Sequence, residues 1–417
     1  MMHAYRSLLL GLVVFCAYGQ APPFSDLWKL AKGRSAKLKD ALPAAMGEEN
    51  LKKGTAVLAE GPDFIFAVET NASPALFIND DAGPKMGRLP GSDIWVATAS
   101  LRTGRTHNFH YVINGQNSGG KENVIAFGPY SYPKPGVPEG RLHGKFVHTS
   151  KIYNGMTSDY WVYVPAQYDP AMPAALMVWQ DGEGLVKREL PSRAQIVFDN
   201  LTHEKKIPVM IHVLISPGFI GSRRMRSIEY DTVNDTYARF LRDEILADVG
   251  AKWNLRKDGY SRAIAGNSSG GICAFNAAWH QPDQFSRVLS RVGSFTSIQW
   301  QPGVIEGGNV YPNKVRKEPH RNIRVWLQDG SGDLENNHGS WPYQNLQMAN
   351  SLKLREYDFH LSWGNGSHTG NGGHAELPEE MIWLWRDYDP AKTGQTYAMD
   401  PAEKAKPFYR VKALNRE

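Results

Sequence analysis

Residues 260–279 carry a serine whose neighbours equip it for nucleophilic chemistry. Tyr260-Ser261-Arg262-Ala263-Ile264-Ala265 reads as a short apolar strand, Gly266-Asn267-Ser268-Ser269-Gly270-Gly271 as a turn, and Ile272-Cys273-Ala274-Phe275-Asn276-Ala277-Ala278-Trp279 as a helix. Strand, G-x-S-x-G turn and helix in that order are the setting of a nucleophile elbow. A serine raised on such a turn has a strained backbone, and side chains at Gly266 or Gly270 would strike the neighbouring chain. Ser268 is the expected nucleophile.

A serine hydroxyl needs a base to take its proton, and the base needs an acid to hold its tautomer. Both are present downstream, in the order acid then base. The strand-like run Ile323-Arg324-Val325-Trp326-Leu327 leads into Gln328-Asp329-Gly330-Ser331-Gly332-Asp333-Leu334-Glu335-Asn336-Asn337. A second run, Tyr357-Asp358-Phe359-His360-Leu361-Ser362-Trp363, opens into Gly364-Asn365-Gly366-Ser367-His368-Thr369-Gly370-Asn371-Gly372-Gly373-His374. Asp333 is the expected acid, with Glu335 as the alternate; an Asp such as Asp329 in a Gly-rich loop also serves as a turn or capping residue. His368 is the expected base, with His374 as the alternate. No metal is expected, because two histidines six residues apart without H-E-x-x-H or a Cys partner are a poor ligand pattern.

The tetrahedral intermediate of acyl transfer also requires fixed N–H donors. One would be the backbone N–H of Ser269. The others would come from the loop after the strand Ala175-Leu176-Met177-Val178-Trp179-Gln180, through the backbone of Gly182 and Glu183.

These runs, with Val178-Trp179-Gln180-Asp181-Gly182-Glu183 and Arg226-Ser227-Ile228-Glu229-Tyr230-Asp231, together resemble the esterase D superfamily of α/β-hydrolases. That superfamily includes enterochelin esterases and the feruloyl and acetylxylan esterases of carbohydrate esterase family one. The similarity spans roughly residues 140–390 and implies a serine esterase without a cofactor. Two departures stand out: Gly366-Ser367-His368 where Gly-Gly-His is usual, and Asn371-Gly372-Gly373-His374 where a His-Gly-Gly arrangement is common. The resemblance to enterochelin esterases in Asp181-Gly182-Glu183 makes Arg226 a candidate for holding an anionic substrate.

The positioning elements follow from pattern. Pro208-Val209-Met210-Ile211-His212-Val213-Leu214-Ile215 is a continuous apolar run, as in a strand covered on both faces. Tyr237, Leu241, Ile245 and Val249 recur every four residues and mark a helix face. An α/β-hydrolase sheet with flanking helices is expected over residues 141–390, opened by antiparallel strands near Phe146 and Tyr160. Upstream, aromatic and β-branched runs at residues 64–68, 75–78, 94–98 and 107–113 predict a small β-sandwich over residues 54–128, which resembles immunoglobulin-like early-set domains. A helical segment (20–53) precedes it, a Pro-rich linker (129–140) follows, and a tail (391–417) ends the chain. Every catalytic motif lies beyond residue 140, so the sandwich reads as a separate binding module.

His3 and Arg6, the apolar run Leu8 to Ala17 and then Tyr18-Gly19-Gln20 read as a signal peptide over residues 1–19, implying a secreted or periplasmic enzyme. The run of about ten residues is short for a bilayer, and no later segment approaches the ~20 needed. Cys16 leaves with the leader, and Cys273 is then left alone as a buried residue of the elbow helix. The net charge of +5 is spread along the chain, which argues against nucleic-acid binding. The expected activity is hydrolysis of an acylated or hydroxycinnamoylated carbohydrate through an acyl-enzyme. Three alternatives stand beside it: a periplasmic siderophore esterase, an acyltransferase to a sugar acceptor, and an inactive glycan-binding protein. Oligomeric state is left open.

Overall fold

The computed structural model describes residues 22–189 and 191–410. The expected signal peptide lies outside them. Helices α1 (Phe24–Lys32), α2 (Leu38–Met46) and α3 (Glu48–Lys53) lead into β1 (Ala56–Glu60), β2 (Asp63–Glu69), β3 (Ala75–Ile78), β4 (Asp81–Ala82), β5 (Gly87–Arg88), β6 (Ile94–Ser100), β7 (Arg105–Ile113) and β8 (Gln116–Ala126). These strands form two antiparallel sheets, β1-β2-β6-β5 and β4-β3-β7-β8. The apolar run Phe64-Ile65-Phe66-Ala67-Val68 is continuous because β2 is covered on both faces. Phe64, Phe66 and Val68 pack with Leu76, Phe109 and Tyr111 between the sheets. Ile65 and Ala67 face Leu27, Leu38, Leu42 and Leu51 of the three helices.

The stretch after β8 is pinned to the larger part of the molecule. The Asn200 amide donates to the carbonyls of Tyr130 and Tyr132 at 2.8 Å each. Lys134 reaches Glu204 at 2.6 Å, and the Arg193 guanidinium lies 3.9 Å from the Phe127 ring centre.

The large sheet is built from β9 (Arg141–Thr149), β10 (Thr157–Val164), β11 (Ala175–Gln180), β12 (Met210–Ile215), β13 (Phe219–Ile220), β14 (Arg223–Arg224), β15 (Arg262–Asn267), β16 (Arg287–Arg291) and β17 (Arg324–Gly332). After the small hairpin of β18 (Glu335–Asn336) and β19 (Gly339–Ser340) comes its last strand, β20 (Asp358–Ser367). The order is β14-β13-β10-β12-β11-β15-β16-β17-β20, with β9 beside β10. From β12 to β20 the strands are parallel, and β9 and β10 pair antiparallel.

Alternate residues of β11 feed two cores. Leu176 and Val178 face the layer of α6 (Thr236–Phe240), α7 (Leu246–Gly250), α8 (Ser269–His280), α9 (Tyr311–Lys317) and α10 (Trp341–Leu354). Met177 and Trp179 face α4 (Ala194–His203) and α11 (Asn371–Leu384). Tyr237, Leu241, Ile245 and Val249 are all buried. A four-residue spacing drifts about 40° per step on a regular helix. Here a π-helical turn over Leu241–Ile245 joins α6 to α7 and counters the drift. In the described part of the last segment, Tyr397, Met399 and Glu403, the latter on α12 (Pro401–Ala405), are buried. Among the described residues no helix is long and apolar enough to cross a membrane.

At the start of β17 and β20, Arg324 donates to Asp358 at 2.6 Å with both side chains almost fully buried, and Arg386 donates to the other carboxylate oxygen. Removing one member of a buried pair leaves an uncompensated charge, at a cost of about 3–5 kcal/mol. Asp358→Ala should therefore shift the urea unfolding midpoint by that much stability, whereas exposed Asp81→Ala should leave it within about 0.5 kcal/mol.

Candidate active site

The loops that follow β11, β15, β17 and β20 converge at the carboxyl ends of the parallel strands, where α/β sheets place their sites. Ser268 sits between β15 and α8 with φ 59° and ψ −122°, a conformation rarely adopted by a residue with a side chain. Its backbone is held on both sides. The Ser268 N–H donates to the Arg291 carbonyl at 2.9 Å, and its carbonyl accepts from the N–H groups of Gly271 and Ser294 at 2.9 and 3.1 Å. A Cβ on Gly266 would lie 2.3 Å from the Gly270 carbonyl oxygen, so the turn closes only with glycine there. Gly270 is more forgiving, since a Cβ would meet the Gln180 side chain at 3.0 Å.

The hydroxyl of Ser268 lies 2.8 Å from His368 Nε2, and His368 Nδ1 lies 2.5 Å from Asp333 Oδ1. The Asp333 side chain is fully buried and its Oδ1 also accepts from the Leu334 N–H at 2.6 Å. With the carboxylate accepting at Nδ1, the free Nε2 lone pair faces the serine. His368 follows β20, and Asp333 follows β17, its neighbour in the sheet.

Gly182 opens a short 3₁₀ turn, Gly182–Leu185, entered through Asp181 at φ 52°. A Cβ on Gly182 would fall 2.4 Å from the backbone of Leu214 and Ile215, so only glycine lets this turn close on β12. Ser269 is the first residue of α8, where N–H groups have no partner within the helix. The Glu183 carboxylate turns away to accept from the Ser216 hydroxyl at 2.6 Å, leaving only its backbone for a site role.

The alternates lie elsewhere. Glu335 is exposed on β18, and His374 lies in the first turn of α11 against Gly370, where burial and the Arg291 charge lower its pKa to about 4. Arg226, the candidate for holding an anionic substrate, forms a two-pronged pair with Asp181, both bonds 2.7 Å, and is partly buried there. That pair ties α5 (Arg226–Tyr230) to the turn ahead of Gly182.

Two neighbours, Ser294 and Trp341, were not foreseen. Ser294 meets the Ser268 hydroxyl at 3.2 Å and accepts from the Trp341 indole at 3.1 Å. The Trp341 ring stands edge-on to His368 at 5.6 Å. Asp329, read above as a turn or capping residue, lies buried behind Asp333, and burial together with that carboxylate pushes its own pKa well up. Among the described residues no group of three or more His, Cys, Asp or Glu is arranged to hold a metal.

Fold and site together define an α/β-hydrolase. The family described as "Putative esterase" matches residues 155–381, more than half of the 417-residue chain, and the chain belongs to it. Ester hydrolysis is therefore its class of chemistry. Among solved structures, the fold is similar to the enterobactin esterase of Shigella flexneri, with a TM-score of 0.52 at 17% identity over 80% of this chain and 97% of that one. The ferric enterobactin esterase of Salmonella typhimurium gives 0.51 at 16% identity, over 80% and 97%. A curated relative, an endo-1,4-beta-xylanase/feruloyl esterase of Xylanibacter ruminicola, is 25% identical over 158 residues. That match spans 38% of this chain and about a fifth (19%) of the relative's length.

Beside the site, α5 carries buried carboxyls. Glu229 accepts from the Gly218 N–H at 2.8 Å, and burial pushes its pKa up to about 7. Asp231 is raised to about 6, again by burial, with the Ser227 and Ser269 hydroxyls favouring its charge. The folded protein thus holds the Glu229 proton to about pH 7, while an unfolded chain releases it near 4.5. Between those values the native state binds more protons, so rising pH costs stability. Glu229→Gln keeps an acceptor for Gly218 and removes this titration. Its stability relative to the parent should rise by about 1–3 kcal/mol from pH 5 to pH 8, measured by chemical denaturation; a pH-independent difference would show Glu229 ionising normally.

Proposed function

We propose that this protein hydrolyses a carboxylic ester through an acyl-enzyme on Ser268. The observation that carries the reading is the hydrogen-bonded chain from Ser268 to His368 to Asp333, at 2.8 and 2.5 Å. The Ser268 oxygen attacks the ester carbonyl as His368 Nε2 takes its proton, and Asp333 stays ionised to orient Nδ1–H. The carbonyl oxygen, now negative, is held by the N–H groups of Ser269 and of Gly182 and Glu183. Collapse expels the alcohol, which takes the proton from His368. Water then adds to the acyl carbonyl with His368 again as base, releasing the acid and restoring the serine.

A hydroxycinnamoylated or otherwise acylated carbohydrate is the substrate we favour. The feruloyl esterase named in the curated relative supports this, as does Trp300, half exposed beside the Gln299 that donates to Ser227 at 3.0 Å. Aromatic surface there suits a planar acyl group. The leader-like residues 1–19 support action in the periplasm or outside the cell. A catecholate siderophore ester is the second reading, favoured by exposed Arg223 and Arg224 on the hairpin of β13 and β14, Arg224 lying 3.8 Å from Glu183. Acyl transfer would appear as a sugar ester when a sugar acceptor is supplied, and a glycan-binding protein as binding without turnover.

Ser268→Ala should lower kcat by on the order of 10⁴–10⁶, while Ser269→Ala keeps most activity because it retains the N–H. His368→Ala should fall as far as Ser268→Ala, and His374→Ala should stay near the parent on a small activated ester. Equal loss from both serines, or from His374 rather than His368, would overturn the assignment. In a substrate screen, feruloyl and acetyl sugar esters should be cleaved with higher kcat/KM than catecholate esters; the reverse order would favour the siderophore reading.

A further inference from the structure

One residue of the N-terminal β-region reaches the segment that carries His368 from both ends. Asn123 lies on β8, where the ladder with β7 is irregular, and it is buried with φ 54°. Its side-chain amide donates to the Ser367 hydroxyl at 2.8 Å. Its backbone carbonyl accepts from the Asn371 side chain at 3.0 Å. Ser367 precedes the imidazole by one residue and Asn371 opens α11 three residues after it. Asn123 is itself anchored, its N–H donating to the Asn108 side chain at 2.8 Å.

The segment needs such support. β20 is the last strand of its sheet, so its end has a ladder partner on one side only, and that pairing is irregular between Gly330 and Gly332, just where Ser367 joins. Beyond Ser367 the chain turns tightly, the Thr369 N–H donating to the Ser367 carbonyl at 2.7 Å. A side chain at Gly366 would come within 3.3 Å of the Asn123 amide oxygen, so the approach is close. A second contact runs parallel to it: Arg105 of β7 donates to Glu379 of α11 at 2.9 Å. Because the base must take the proton of a hydroxyl whose oxygen lies 2.8 Å away, a displacement of about 1 Å would cost much of the rate.

We propose that Asn123 is a positioning residue for the base, and that the N-terminal β-region is thereby part of the catalytic unit rather than a separable binding module. The inference rests on His368 being the base. It is tested in the full chain with Asn123→Gly, which accepts the positive φ while removing the amide, with Ser367→Ala, which removes the acceptor hydroxyl, and with Ser367→Thr, which keeps a hydroxyl. On para-nitrophenyl acetate, kcat should fall about 10- to 100-fold in the first two, with KM and thermal midpoint unchanged. Ser367→Thr should retain most of the parent kcat, and the double variant Asn123→Gly/Ser367→Ala should lose little more than either single change, since both remove one bond. Parent-like kcat in Ser367→Ala would overturn the proposal even if Asn123→Gly fails to fold. So would a loss confined to KM or thermal midpoint. His368→Ala separates the two levels: if it still reacts with a fluorophosphonate at the parent rate, the assignment of the base fails. If it does not, while Ser367→Ala and Asn123→Gly turn over normally, only the positioning role fails.

Discussion

The backbone of Ser268, held at φ 59° and ψ −122°, is the constraint on which the rest of the site depends. Such a conformation costs of order 1–3 kcal/mol and persists only where its surroundings over-determine it. They do so here through the Arg291 carbonyl on one side and the N–H groups of Gly271 and Ser294 on the other. Arg291 is fixed in turn by a buried pair with Glu380 of α11, at 3.0 Å from its Nε. The strained serine is thus tied into β16 and α11 as well as its own turn. The same helix α11 begins just after His368, so Ser268 and His368 share a support.

The aspartate is arranged differently. Asp333 lies fully buried, yet its charge is useful only if a donor faces it, and His368 Nδ1 and the Leu334 N–H supply two. Behind it, burial and the neighbouring Asp333 push the Asp329 pKa well up. The two carboxyls of this loop differ in which of them meets a histidine.

The residues that meet at Ser268 were legible where local chemistry restricts residue type. The elbow demands glycine at 266, and loops that follow strands announce an acid and a histidine in order. Residues defined by contacts between distant segments were not legible. The Arg226–Asp181 pair leaves no signal in the sequence, because its members lie 45 residues apart and only the fold brings them together. Ser294 and Trp341 carry no motif, and their place follows from packing between β16 and α10. The helix face at Tyr237, Leu241, Ile245 and Val249 was visible as a period, but not the π-turn that keeps it facing inward. Ser367 stands where glycine is usual before the histidine, and the sequence offers no reason for it; in the fold its hydroxyl meets Asn123.

Covalent catalysis at Ser268 can be read from intact-mass spectrometry of enzyme quenched during turnover of a slowly deacylating ester. The expected result is a mass increase equal to the acyl group less the hydrogen it replaces, mapped to the peptide containing Ser268 and decaying as the acid product appears. A steady state with rapid product release and no adduct, or an adduct on another residue, would contradict it.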